Sequence, residues 1–296
     1  MIIRNEAEVT DAVLEVMRQT SDPRLREIMV ALIKHLHGFV REVRLTEPEF
    51  RQATKLINEI GQATTDSHNE AVLMAGSLGV STLVCLLNNG DNGATETTQN
   101  LLGPFWRMHS PRTELGGSIM RSETPGDPMF VDLVFRDTDG QPIEGLEVDI
   151  WHCSAEGLYE NQEEDQAEYN LRGKFTTGAD GRVWFRSIKQ SGYPIPTHAV
   201  VGRLLEAQNR HPFRPAHIHV LAHKEGYKTL ISQIYSDDDP KLDSDVQFGV
   251  TRALVGRFQR HEEPHPDGLA PGGWYSLSHA LELEPGVSEL PMPPIR

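Results

Sequence analysis

Two histidines one residue apart, in "RPAHIHVLAHKEGY" (214–227), are the first residues whose types and spacing suggest chemistry. Side chains alternate across a strand, so His217 and His219 share one face and Ile218 takes the other. Two imidazoles side by side are half of a metal site, or else two polar groups that a core must satisfy. A zinc site would need a third His, Cys or carboxylate ligand. His152, His198, His211 and His223 have no distinctive spacing, and His261 and His265 fall in "HEEPHP", which reads as a solvated surface run. Two tyrosines have unusual settings: Tyr159 just beyond a strand end in "WHCSAEGLYEN", and Tyr193 before the rigid Pro-Ile-Pro of "SGYPIPTH". Either one alone reads as an ordinary interior or interface tyrosine. Arg214 lies three residues before His217 and is fixed by Pro215, so its guanidinium can be aimed at whatever the histidines hold.

The elements that must position these groups change character near residue 105. Before it the periodicity is helical. A short helix is expected over 6–19. A second opens with Asp22 as N-cap and Pro23 at the first helical position, and Leu25, Ile28, Met29, Leu32, Ile33 and Leu36 follow at three- and four-residue steps. "TEPEF" starts a third with a capping box, Thr46 and Glu49. Residues 69–87 are expected to form one further, mostly buried helix, and "NNGDNGATETTQN" to be a linker of turn-formers.

Beyond 105 the signals are those of strands. Paired runs are expected around Asp139-Gly140, around Asp180-Gly181, and around the Lys224–Tyr227 turn. Short strands at this spacing predict an antiparallel β-sandwich rather than a parallel α/β sheet. The tail from about Glu262 is expected to be irregular and to wrap the surface. The predicted organisation is a helical domain with linker over 1–105 and a sandwich domain over 106–296.

A formal charge of −15 argues against binding a nucleic-acid backbone. The two cysteines, Cys85 and Cys153, form no CxxC pattern and offer neither a disulfide framework nor a thiolate zinc site. No run of 18 apolar residues is present, and the first residues lack the features of a signal peptide, so a cytoplasmic protein without a membrane span is expected.

The tyrosines and "RPAHIH", taken with "LLGPFW", "DIWHCSAEGLYE", "LRGKFTTGADGRVWFRSI" and "YPIPTH", form a pattern. Through it the chain resembles the intradiol ring-cleaving dioxygenases, from the helical N-terminus to about Phe258. The resemblance implies a non-haem Fe(III) ion held by Tyr159, Tyr193, His217 and His219. The chemistry is consistent, because a hard ferric ion prefers anionic oxygen donors and a phenol that normally titrates near 10 needs a strong Lewis acid to stay ionised. A catechol binds such an ion as a dianion and must lose two protons. The resemblance gives Tyr193 the role of swinging away and accepting one. It implies charge stabilisation by Arg214 and a hydrogen bond from Gln233.

By the same resemblance Leu73, Gly76, Gly103, Pro104, Phe105, Ile195, Pro196 and Gln247 line the substrate. The "FRPAHIH" and "LDSDVQFGV" segments look most like the hydroxyquinol 1,2-dioxygenase branch, which implies O2-dependent cleavage of benzene-1,2,4-triol to 3-hydroxy-cis,cis-muconate, or maleylacetate. Where an acidic residue is expected in that branch this chain has Gly76, and Gln247 offers a substitute hydrogen bond. The alternatives are a catechol 1,2-dioxygenase acting on catechol or substituted catechols, and a non-catalytic iron- or catechol-binding sandwich. The family also implies a homodimer formed through the N-terminal helices.

Overall fold

The computed structural model describes residues 2–65, 68–88, 97 and 99–293. The chain divides into two compact units, Met1–Glu59 and Ile60–Arg296. The expected linker at 88–100 lies largely outside the described residues.

In the first unit, α1 (Ala7–Met17) and α2 (Pro23–Glu42) are tied by Thr10 Oγ1 and His37 Nδ1 at 3.0 Å and by Arg41 Nη2 donating to Thr10 Oγ1 at 2.8 Å. Asp22 caps α2 as expected, accepting from the N–H groups of Arg24 and Leu25. At the start of α3 (Glu47–Ala63) only half of the capping box forms. Glu49 accepts from the Thr46 N–H, and the Thr46 hydroxyl turns to the same carboxylate.

The single helix expected over 69–87 is two: α4 (Glu70–Ser77) and α5 (Val80–Asn88), bent by 78°. The break is at Gly79, whose φ of +72° ends a helix at little cost for a residue without Cβ. The pair is also not mostly buried, since Val72, Leu78, Leu83 and Leu87 are all more than half exposed. No single helix among the described residues is long and apolar enough to cross a membrane.

The rest of the second unit is built on β1 (Pro128–Asp137), β2 (Glu147–Trp151), β3 (Arg172–Thr176), β4 (Arg182–Ile188), β5 (Tyr193–Pro194), α6 (Val200–Ala207), β6 (Phe213–Arg214), β7 (His217–His223), β8 (Leu230–Ser236), β9 (Val255–Gly256), β10 (Phe258–His261) and β11 (Trp274–Leu283). One sheet has the order β10-β11-β1-β4, a second β3-β2-β7-β8-β9, and β5-β6 form a two-stranded ribbon. Most pairs are antiparallel; β1–β11 and β8–β9 are parallel. Val131, Leu133 and Phe135 of β1 meet Val148 and Ile150 of β2 and Ile218 and Val220 of β7 in the main apolar core.

Three sequence expectations require correction. Of the three expected pairs of runs, β7–β8 is the one whose strands pair with each other. The runs flanking Asp139-Gly140 and Asp180-Gly181 pass from one sheet to the other, because each pair of strands supplies apolar side chains to opposite walls of the same core. The tail is not simply irregular. Its ten-residue β11 lies inside a sheet, with Leu277, Leu281 and Leu283 buried.

Candidate active site

Alternation along β7 resolves the puzzle of the two histidines. Ile218 and Val220 enter the core between the sheets, and His217, His219 and Leu221 face the other way. That outer face is itself covered. Trp106, Trp151, Cys153, Tyr159, Tyr193 and Leu221 form a second buried cluster, with Leu102, Phe105 and Met108 packed on it. The histidines therefore project into a closed space rather than into water.

Four side chains that are far apart in sequence converge there. Tyr159 Oη is 3.3 Å from Tyr193 Oη, Tyr193 Oη is 3.3 Å from His217 Nε2, and His217 Nε2 is 3.2 Å from His219 Nε2. Tyr159 begins a short 3-10 turn (Glu160–Gln162), where the Gln162 side chain accepts from its N–H at 2.9 Å. Tyr193 is on β5, directly opposite Arg214 on β6. The His219 ring stacks on Trp151, its cross-strand neighbour, at 4.6 Å and 5°. Gly103, at φ +74°, crosses so close that a Cβ there would be 3.1 Å from His219 Cε1.

The electrostatics suit a cation among these four atoms. Burial, reinforced by Arg214, lowers His217 to about 3, and burial with His217 and Arg214 lowers His219 well below the usual range, so both rings are neutral. His217 Nδ1 is 2.7 Å from the Pro215 carbonyl, which it can only approach as a donor, leaving a lone pair on Nε2. His219 Nδ1 is buried without a partner, and its Nε2 faces the other histidine, so either tautomer leaves one nitrogen unanswered. Burial raises both tyrosines above 10, Tyr159 further than Tyr193, whose rise Arg214 opposes. Two neutral imidazoles and two phenols that ionise only against strong positive charge fit a hard, highly charged metal ion.

Arg214, 3 % exposed, stands beside this cluster with Nη1 3.5 Å from His217 Nε2. Its Nη2 donates to Tyr235 Oη at 2.6 Å and to Gln233 Oε1 at 2.9 Å, and Nε donates to Asp245 Oδ1 at 3.3 Å. Burial opposes its charge, but Asp245 and the neighbouring phenol oxygens more than offset this, so it stays a cation. Asp245 is held below the usual carboxylate range, since Arg214 and the N–H groups of Gln247 and Gly249 outweigh its burial. Gln233 Nε2 donates to Leu101 O at 2.7 Å, and Asn100 Nδ2 donates to Gly249 O at 2.6 Å.

Tyr235, Asp245 and Asn100 were outside the sequence-derived set. Tyr235 had a readable signal, being two residues from Gln233 on one face of β8 and directly opposite His217. Asp245 and Asn100 lie in irregular segments with no period to mark them.

The expected lining residues fall into three groups. Phe105 stacks on Tyr159 at 4.2 Å, and Gly103 lies over His219. Leu73 packs with Ile195 and Val246, and the Gln247 amide fills the space at Gly76, within 3.1 Å of where a Cβ would be. Pro104 and Pro196 are exposed. The other histidines go elsewhere: His152 bonds Cys153 O and Ser187 Oγ, His223 pairs with Glu147, and His261 stacks on Trp274. Among the described residues no group of three or more His, Cys, Asp or Glu side chains is placed to hold a metal, which leaves the mixed tyrosine–histidine set as the candidate.

Comparison with known proteins bears on what such a site does. Residues 102–274 match the family described as "Dioxygenase", and residues 22–95 match "Catechol dioxygenase N terminus". Hydroxyquinol 1,2-dioxygenase of Rhizobium sp. (strain MTP-10005) is 40% identical over 94% of this chain and 95% of its own length. Catechol 1,2-dioxygenase of Candida albicans (strain SC5314 / ATCC MYA-2876) is 34% identical over 93% and 91%. The solved structure of hydroxyquinol 1,2-dioxygenase from Pseudomonas putida DLL-E4 superimposes with a TM-score of 0.86 at 34% identity, covering 95% of this chain and 99% of that one. With matches of this extent to both regions, the chain belongs to the intradiol ring-cleavage dioxygenases.

Proposed function

We propose that this enzyme cleaves hydroxyquinol with O2 between its adjacent hydroxyls, holding Fe(III) through Tyr159, Tyr193, His217 and His219. The observation that carries the metal assignment is the convergence, in a buried space, of two phenol oxygens and two imidazole nitrogens, each within 3.3 Å of the next. The substrate assignment draws on the similarity to the Rhizobium and Pseudomonas putida enzymes.

When bound, ferric iron would supply the Lewis acidity that keeps a chelated catechol doubly ionised and reactive toward O2. The chain supplies the rest. Tyr193 Oη, 8 % exposed as a residue and set on a two-residue ribbon, is the phenol oxygen placed to take a substrate proton. Arg214 presents a fixed positive charge where negative charge grows on the substrate, and Asp245, Tyr235 and Gln233 keep its guanidinium in place. Phe105, Trp151 and Leu221 exclude water. Arg214 also weighs against a non-catalytic carrier, as does membership of an enzyme family, because simple retention of a catechol needs no such charge beside the donors.

Aerobic turnover of a panel of catechol, hydroxyquinol, chlorocatechols and protocatechuate tests the proposal. Oxygen uptake with a muconate-type diacid is expected, and hydroxyquinol should exceed catechol in kcat/KM. A yellow semialdehyde, formed by cutting the neighbouring bond, would overturn the mechanism. A strong preference for unsubstituted catechol would favour the catechol 1,2-dioxygenase reading instead.

The Gly76–Gln247 contact refines the expectation. With glycine at 76, the Gln247 amide is the polar group nearest that wall, and discrimination for a third hydroxyl should be modest. Gly76→Asp should sharpen it, since a buried partner for a hydroxyl discriminates far better than shape does. The Gln247 side chain must give way by a few tenths of an ångström to admit the new Cβ. An unchanged hydroxyquinol-to-catechol ratio in this variant would remove residue 76 from the substrate wall.

We also propose a homodimer through the N-terminal helices. Leu25, Ile28, Leu32, Leu36, Phe39 and Val43 form a stripe along and just beyond α2 that is about half exposed in the single chain.

A further inference from the structure

Next to Tyr159 lies a buried group of charges for which the reaction outlined above has no use. Arg172 on β3 is 1 % exposed. Its Nε donates to Glu160 Oε2 at 2.8 Å, and Nη2 approaches the same oxygen at 2.7 Å. The other carboxylate oxygen, Oε1, accepts from Arg107 Nη1 at 3.1 Å, and Arg107 continues to Glu168 and over the Tyr169 ring. The third Arg172 nitrogen, Nη1, donates to the Phe105 carbonyl at 2.5 Å. Its guanidinium carbon lies 5.9 Å from the centre of the Tyr159 ring.

One side chain thus ties three segments: its own strand, the turn that begins at Tyr159, and the Gly103–Phe105 stretch that covers His219. Phe105 is stacked on Tyr159, so fixing its carbonyl holds the ring's stacking partner, and fixing Glu160 holds the residue next to Tyr159 in the chain. Arg172 also stands opposite Trp151 across β2 and β3, and Trp151 is the ring on which His219 stacks. Tyr193, by contrast, sits on a ribbon of two residue pairs, and among the described residues its hydroxyl contacts Tyr159 and His217.

We infer that the buried Arg172–Glu160 pair is a positioning device that holds Tyr159 still. The rigidity of Tyr159 is then built into the chain rather than imposed by the metal. The planar guanidinium is suited to this, because it can serve a carboxylate and a carbonyl at once from one rigid group. For its catalytic consequence the inference rests on the assignment of Tyr159 as an iron ligand; for the clamp itself it does not.

The test uses the full chain as purified. Removing one partner would leave a buried charge unpaired and endanger folding, so the informative variant is the double change Arg172→Met with Glu160→Met, since apolar replacements of a whole buried pair are commonly tolerated. A crystal structure should show the Phe105–Tyr159 stack lost. The visible absorption maximum should move, and kcat should fall about 10- to 100-fold, the scale for a misplacement of about 1 Å. Arg172→Lys, able to hold Glu160 or the Phe105 carbonyl but not both, should fall between the double variant and the wild type. A retained stack, or a lost stack with wild-type spectrum and kcat, would overturn the inference. Wild-type protein without iron or oxygen uptake would instead overturn the proposed function, and the stack would still report on the clamp.

Discussion

His219→Ala should strip the protein of iron, of colour and of turnover together. Tyrosinate bound to ferric iron absorbs visible light, so the wild-type protein should be red to burgundy. Removing one neutral nitrogen donor from a four-donor set leaves two phenols and a single imidazole, too few to retain the ion. Tyr159→Ala should have the same effect with a larger loss of packing, because Phe105 stacks on that ring. A useful control is His152→Ala. His152 is as buried as His219 but is satisfied by Cys153 O and Ser187 Oγ, and it should cost stability without bleaching the protein. Iron analysis, the visible spectrum and oxygen uptake on the three variants make the check. Wild-type protein that is colourless, fully loaded with zinc and fully active would falsify the ferric assignment.

Arg214→Ala should separate chemistry from metal binding. Iron and colour should remain largely intact, and kcat should fall roughly ten- to a thousandfold, the range for losing a charge partner of the transition state. The structure adds a second effect. Without Arg214, Asp245 is left buried and unpaired, and breaking such a pair typically costs about 3–5 kcal/mol of stability. Pairing Arg214→Ala with Asp245→Asn should recover much of that stability and none of the rate. Single-turnover kinetics and thermal melts on both variants tell the effects apart. Normal kcat in the single variant would make Arg214 purely structural.

How much of this was legible in the sequence depended on whether a pattern was local. His217 and His219 could be placed on one strand face because strand alternation needs only neighbours. Their meeting with Tyr159 and Tyr193 is a tertiary fact, which became readable only through the family pattern. The same limit explains the strand errors. A turn dipeptide such as Asp180-Gly181 reports a reversal of the chain, and β3 and β4 do reverse, but into different sheets. Gly79 was visible as a letter, but helical periodicity runs on through such a residue, so the bend between α4 and α5 was missed. Asp245 shows the limit most clearly. It contributes the carboxylate that holds Arg214, yet it lies in a loop where nothing in the spacing distinguishes it from Asp243.

The place of β11 has a consequence for how the protein is made. Residues 274–283 pair in parallel with β1 over nine registered positions, from Met129↔Tyr275 to Asp137↔Leu283, and also carry β10. A ribosome releases β1 long before β11 exists. Until then β1 has β4 on one side and an open row of amide and carbonyl groups on the other, above an apolar face. Closing that sheet brings together residues nearly half the chain apart, the kind of contact that folds slowly. The nascent chain therefore passes through a long interval with a sticky edge on view, and its yield in a cell depends on keeping that edge from other chains until its own last strand arrives.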